Sequence, residues 1–316
     1  MAYDLKNTLV IGISATALFD LSEADKLFQD EYKKHPDSAI DIYRDFMRKN
    51  EDIPLKEGIG FPLVKALLNL NRYKKKDDAP LVEVVIMSRN SPDTGVQVLN
   101  TIRELKLNVT RSAFTAGESS ADYLEAFDVD LFLTTNEPDA QKVIDKNVCA
   151  SAVLSTPTSY KCDIDDSQVR IAFDGDAVLF DESSEIIYKD KGIEAFHSNE
   201  EESRDIPMSE GPFASFLKKL AKLQERLPMK MEFSPVRIAI VTARNAPSDI
   251  RVIKTLRNWG VYVDEAFFLG GIEKSKILKS FKAHIFFDDQ DVHLKNSALV
   301  VPSGKVLYPS HSKLNK

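Results

Sequence analysis

The stretch "RIAFDGDAVLF", residues 170–180, runs apolar into Asp174, Gly175 and Asp176 and then returns at once to apolar residues. A short apolar run that stops on two acids and a glycine reads as a buried β-strand whose carboxyl end turns sharply. Two carboxylates one residue apart repel each other, and the cost stands unless a cation or a proton offsets it. The pair is therefore either acidic decoration on a surface turn or part of a metal-assisted site. The flanking sequence has to decide.

Outward from this point, strand-length apolar runs alternate with helical periodicities. "TLVIGIS" (8–14), "VEVVIMS" (82–88), "VDLFLTTN" (129–136), "VRIAFD" (169–174), "VRIAIVT" (236–242) and "HIFFDD" (284–289) read as strands. "FPLVKALLNLN" (61–71), "TGVQVLNTIRELKL" (94–107), "PFASFLKKLAKLQERL" (212–227) and "SDIRVIKTLRNW" (248–259) read as helices, as does the charged run from Ser22 onward. In the third of these, Phe213, Phe216, Leu217, Leu220, Leu223 and Leu227 share one face, and Pro228 follows the last turn. The alternation predicts an α/β protein with a parallel, Rossmann-like sheet covered by helices on both faces.

The pattern restarts after a polar stretch, "STPTSYKCDIDDSQ" (155–168). "VLNTIRELKLNVTRSAFTAG" (98–117) lies over "VIKTLRNWGVYVDEAFFLGG" (252–271) at a constant shift of 154 without a gap. The same shift sets "DLFLTTN" (130–136) over "HIFFDDQ" (284–290) and Ser88 over Thr242, and with one gap "IGISATALFD" (11–20) matches "IAFDGDAVLFD" (171–181). Order and spacing persist over several elements, so the reading is a duplication, with one half over about 1–155 and a second over 165–316. The first copy keeps the apolar frame and loses the charges: Ser14 stands opposite Asp174, Ser120 opposite Lys274, and Thr134 and Thr135 opposite Asp288 and Asp289. Packing alone does not demand the acids.

The 316 residues suffice for two domains of ordinary size, each with its own core. A net charge of −7 argues against a nucleic acid polymer as partner, while leaving room for a small phosphate ligand in one locally cationic site. Cys149 and Cys162 lack any CxxC spacing and read as incidental thiols in a reducing compartment. "TLVIGISATALF" (8–19) lacks a basic leader and is short of the ~20 apolar residues of a membrane helix, so a cytoplasmic protein without a membrane partner is expected.

In an open parallel sheet, ligands gather beyond the carboxyl ends of the strands. Three such ends in the second half bear Asp174 and Asp176, then Thr242 with Arg244, then Asp288 and Asp289. "GGIEKSKIL" (270–278) offers Lys274 or Lys276 near a helix start. Together these suit phosphoryl transfer: one carboxylate attacks phosphorus, a second moves protons, an oxygen-liganded cation such as magnesium offsets the charge, and a hydroxyl and an ammonium hold phosphate oxygens.

In that order the segments "DGDAVLF", "VTAR", the glycine-lysine loop and "FFDDQ" resemble the four motifs of haloacid dehalogenase-type phosphatases. More narrowly, "RIAFDGDAVLF", "IVTARNAP", "VIKTLRNWGVYVDEAFFLGG" and "HIFFDDQ", with "ALFDL", "FPLVKALLNLN" and "SRNSPDTG" upstream, resemble the type I cytosolic 5′-nucleotidases over most of the chain. The resemblance implies magnesium-dependent hydrolysis of nucleoside 5′-monophosphates. Asp174 would be the nucleophile, Asp176 the acid/base, and Thr242 and Lys274 the phosphate binders. Asp174, Asp176, Asp288 and Asp289 would surround the metal. The roughly 60 residues between Asp181 and Thr242 leave room for a small cap, expected at about 181–212. Lys274 is taken over Lys276 because it stands where the family's loop lysine follows the two glycines.

Other positions have a plainer reading beside the functional one. Arg244 and Asn245 either meet substrate or belong to a turn. Arg89, Asn90 and Asp93, at the strand end equivalent to "TARNAP", either recognise base, ribose or an effector, or cap a helix. Phe61 either stacks on a base or starts an apolar helix. His284 and His293 read as structural, and "HSNEEESRD" (197–205) as a solvated loop or part of the cap. The first half is expected to close over substrate or to offer a binding, regulatory or homo-oligomer surface. A phosphatase for a sugar phosphate and a non-catalytic nucleotide-binding regulator are the rival functions.

Overall fold

The computed structural model describes residues 5–76, 78–155, 168–228 and 234–315. The polar stretch between the halves, with Cys162, lies almost wholly outside the described residues. Ten strands form the main sheet: β1 (Leu9–Ile13), β2 (Val82–Ser88), β3 (Arg111–Phe114), β4 (Leu131–Thr134), β5 (Ala150–Leu154), β6 (Val169–Phe173), β7 (Val236–Thr242), β8 (Glu265–Phe268), β9 (Ile285–Asp288) and β10 (Ser303–Lys305). They lie in the order β8-β7-β6-β9-β10-β5-β4-β1-β2-β3. Every pairing is parallel except β10 with β5, which is antiparallel.

The central strands are apolar throughout because both of their faces are covered, as parallel strands require. Leu9 to Ile13 are buried without exception, and so are all but one residue of β6 and of β7. Ten α-helices of seven residues or more accompany the sheet among the described residues: α1 (Ser22–Lys34), α2 (Ala39–Lys49), α3 (Phe61–Asn69), α4 (Val96–Glu104), α5 (Glu137–Lys146), α6 (Ser183–Glu202), α7 (Ala214–Glu225), α8 (Asp249–Asn258), α9 (Ser275–Phe281) and α10 (Asp291–Ser297), beside shorter helical turns. On one face a single core runs through both halves, from Ile11, Ile13 and Leu67 to Phe173, Phe216 and Phe287. On the other face the cores are separate, one around Val85 and Phe132, one around Ala239 and Phe286.

The two halves carry the same strand order, β5-β4-β1-β2-β3 and β10-β9-β6-β7-β8. Registers match as well: Ser88 pairs with Phe114 and Thr242 with Phe268, while Ile13 pairs with Leu133 and Phe173 with Phe287. Left-handed residues recur at the shift of 154. Lys106 and Gly260 have φ of 52° and 69°, Gly117 and Gly271 have 95° and 85°, and Asp128 and Lys282 have 54° and 55°. A short bridge closes the turn after each first strand, Phe19 to Glu57 and Phe180 to Glu210.

β10 and β5 zip the two halves into one sheet. Within the segment 197–205, residues 197–202 continue α6 and Glu200 is buried. That helix bends at Gly192, whose φ of 81° and ψ of −178° split it into two arms.

The close approach of Gly211 to the turn after β6 gives a direct stability test. A Cβ there would lie 2.3 Å from the Phe180 carbonyl oxygen and 2.7 Å from that of Val178, both of them backbone atoms. Gly211→Ala is expected to destabilise the fold by about 2–3 kcal/mol, because only backbone movement relieves the clash. Chemical denaturation checks this, and an unchanged midpoint would mean that the turn has slack.

Candidate active site

The ends of β6, β7 and β9 are adjacent in the sheet, so their terminal residues meet. Asp174 follows β6, Thr242 ends β7, Asp288 ends β9 and Asp289 comes next; all four are buried. Gly175 lets the chain pass close to Thr242, since a Cβ on it would sit 3.3 Å from the Thr242 hydroxyl oxygen. Lys274, at the cap of α9, reaches in with its ammonium 2.9 Å from Asp174 Oδ1 and donates to Asp288 Oδ2 at 2.7 Å. The contact with Asp174 is an ion pair rather than a well-aligned hydrogen bond. Lys276 points to solvent.

One carboxylate oxygen from each of Asp174, Asp288 and Asp289 lies within 4.8 Å of the other two. The remaining contacts hold these groups in place: the Gln290 backbone N–H donates to Asp288 Oδ1 at 2.8 Å, and the Tyr308 hydroxyl donates to Asp289 Oδ2. Asp289 Oδ1 is buried with no hydrogen-bond partner. A buried, unpaired carboxylate oxygen is costly, and an all-oxygen set of this kind suits a hard divalent cation. The chain thus fits the metal that its sequence implies.

Electrostatics follow from crowding three acids in an apolar site with one lysine. Burial pushes the Asp174 carboxyl up to about 6; Lys274 pulls it back, and Asp288 adds to the rise. Burial also raises Asp288 against the pull of Lys274, and raises Asp289 well above the carboxylate range with help from Asp174 and Asp288. Burial works against the charge of Lys274, but Asp174 and Asp288 outweigh it and hold the ammonium up at about 12. The Tyr308 hydroxyl is raised by burial and by Asp289, and the His293 ring is lowered by burial and by Lys274.

Above these strand ends opens a cavity of about 430 Å³. Asp174, Asp176, Thr242, Arg244, Asn245 and the Gly270–Gly271 turn form its floor, while Glu185, Tyr188, Ile193, Phe196 and His197 of α6 form its far wall. Gln290 and His293 complete the lining.

The structure brings together Asp174, Thr242, Lys274, Asp288 and Asp289 and separates them from several other candidates. Asp176 is not in the metal set, because its carboxylate turns onto Arg244, with Nε–Oδ2 at 2.8 Å and Nη2–Oδ1 at 2.6 Å. Arg244 is itself buried and its guanidinium is taken up by Asp176 and Glu200, so it does not present a free fork to substrate. Asn245 lines the cavity and its side-chain oxygen lies 3.2 Å from His197 Nε2.

Arg89, Asn90 and Asp93 follow the end of β2. The antiparallel junction of β10 with β5 puts that end on the opposite edge of the sheet from Asp174. There Arg89 forks onto Asp139 at 3.0 and 2.9 Å, Asn90 donates to the Thr94 carbonyl at 3.3 Å, and Asp93 pairs with Arg48. Phe61 is buried in the first-half core against Phe19. None of the four reaches the cavity. Tyr308, Glu185, Tyr188, Phe196 and Glu200 were not singled out by the sequence; a buried phenylalanine in a charged helix was the one available signal.

Among the described residues no helix is long and apolar enough to cross a membrane. Cys149 is a free thiol. The family profile described as 5′-nucleotidase matches residues 1–313. Cytosolic 5′-nucleotidase 1B of Homo sapiens is 33% identical over 299 aligned residues, in a match that covers 92% of this chain and 47% of that protein. The chain spans about half the length of that curated relative. No solved structure matches it.

Proposed function

The chain belongs to the 5′-nucleotidase family, and from that premise we propose that it hydrolyses nucleoside 5′-monophosphates to nucleoside and phosphate, with magnesium, in the cytosol. The observation that carries the reading is the meeting of buried Asp174, Asp288 and Asp289, with Lys274 paired to the first two and Asp174 reaching the floor of the cavity. A non-catalytic binder of phosphates gains nothing from buried carboxylates, which repel the ligand. Asp174, Asp288 and Asp289 would hold the cation, which when bound supplies positive charge to the phosphoryl oxygens.

Each residue then has a task. An oxygen of Asp174 bonds to phosphorus as the P–O5′ bond breaks and its electron pair passes to O5′. Asp176 gives O5′ a proton, and later takes one from the water that attacks the aspartyl phosphate and releases Asp174 as a carboxylate. Lys274 and the Thr242 hydroxyl hold the peripheral oxygens as charge moves onto them. The α6 arms act as the small cap, excluding bulk water from the intermediate. The matching strand orders, registers and left-handed positions support the first half as a degenerate second copy of the same haloacid dehalogenase-like unit.

Phosphate release from nucleoside 5′-monophosphates is expected to fall by about two orders of magnitude or more when magnesium is chelated. A panel that includes sugar phosphates checks the substrate class. Release from sugar phosphates alone would reassign the enzyme, and release from none would remove the catalytic reading. Magnesium should also raise the melting temperature more at about pH 8 than at about pH 5, because protons compete for carboxyls raised by burial. Equal shifts at both values would argue against a carboxylate-held cation.

A further inference from the structure

Glu200 is a fully buried carboxylate that the chemistry above leaves unused. Burying an anion is costly unless its oxygens are paired, and here they are paired completely. Arg244 Nη1 donates to Oε2, Arg251 Nη1 to Oε1 at 2.9 Å, and Ser184 Oγ to Oε1 at 2.8 Å. The opposite edge of the Arg244 guanidinium holds both oxygens of Asp176. Its flat face lies over the Phe196 ring, 5.1 Å from the centroid. Glu200 therefore fixes the fork that fixes Asp176.

The geometry also ties this clamp to the cavity wall. Ser184 stands on the first arm of α6 and Glu200 on the second, with the bend at Gly192 between them. Tyr188 of the first arm packs edge-on against Phe196 of the second, and both line the cavity. Closing the two arms on each other and seating Asp176 thus depend on the same buried carboxylate.

We propose that Glu200 and Arg244 are positioning residues that aim the Asp176 carboxyl at the leaving oxygen, so that α6 must be folded against the site before the proton can be delivered. This rests on the nucleotidase reading above. A planar bidentate grip sets the orientation of a carboxylate in a way that a single hydrogen bond does not.

The test uses the leaving group. A nucleoside leaves as an alkoxide and needs the proton of Asp176, whereas the phenolate of p-nitrophenyl phosphate leaves without one. Glu200→Gln keeps the shape and removes the charge that anchors Arg244. It is expected to lower kcat/KM on adenosine 5′-monophosphate by about 10- to 100-fold and kcat/KM on p-nitrophenyl phosphate by less than about threefold, because kcat/KM reports the departure of the leaving group and not the later hydrolysis of the aspartyl phosphate, in which Asp176 serves both substrates. The ratio of the two rates does not depend on how much of the protein is folded, so partial misfolding cannot imitate the result. Ser184→Ala, a milder change, should move the ratio the same way by about two- to fivefold. Equal losses on both substrates would reduce Glu200 to a structural role and overturn the proposal. If the wild-type protein releases phosphate from neither substrate, the nucleotidase reading itself fails, which is a separate outcome.

Discussion

Asp174→Asn is expected to lower turnover of a nucleoside 5′-monophosphate by about 10⁴-fold or more while the protein stays folded. The amide has the shape of the acid but no oxygen that can attack phosphorus. Its effect on stability runs the other way. Burial raises the Asp174 carboxyl to about 6, so the folded state favours the protonated form. That advantage is full below the ordinary value near 3.8 and is lost as pH rises through about 6. At about pH 8, with magnesium chelated, the ionised group costs on the order of 3 kcal/mol, a little over two pKa units, and the amide does not carry that cost. The variant should melt at or above the wild type there, and the difference should close below about pH 4. Thermal melts across pH with a phosphate-release assay check both halves; a variant that unfolds would return Asp174 to a structural role.

Lys274→Met should be the most damaging single change for the fold. It removes the cation between Asp174 and Asp288 and leaves three buried carboxyls crowded together. Breaking a buried pair by removing one partner costs about 3–5 kcal/mol, which for a chain of this size is roughly 5–8 °C of melting temperature. The contribution of Lys274 is whole at neutral pH, since an ammonium held at about 12 loses it only as pH rises through that value. In the variant the carboxyls recover stability by binding protons or a cation. The deficit should therefore shrink as pH falls toward about 5, and also when magnesium is added. Turnover should fall with it, by about 100-fold or more even in magnesium, because phosphate loses a donor. A deficit that neither acid nor magnesium relieves would mean that Lys274 acts through packing alone.

The reach of the sequence can be judged from particular residues. Asp174, Thr242 and Asp288 were legible because each ends an apolar run, and a parallel sheet gathers its carboxyl ends. Lys274 could not be separated from Lys276 by physics in the sequence, since two residues of rotation on a short helix start decide which one enters. Tyr308 reaches Asp289 from the loop beyond β10, a contact with no periodicity to announce it. Glu200 sits among three consecutive glutamates, a run that fits a solvated loop as well as part of a cap, and nothing in the run marks this one as the buried member. Arg89, Asn90 and Asp93 stand away from the cavity for a different reason. They do follow a strand end, but the direction in which the halves join depends on β10, three residues long and reading "SGK".

That join has a consequence for how the two halves can change. Because β10 meets β5 antiparallel, the strand ends at Ser14, Ser88 and Thr134 point the opposite way from the strand end before Asp174, and the two sets of ends lie apart. No side chain serves both, and substitutions in one should add to those in the other rather than interact. If the duplication proposed above holds, each half can change its strand ends without the other, while the apolar core that runs through both ties their stability together.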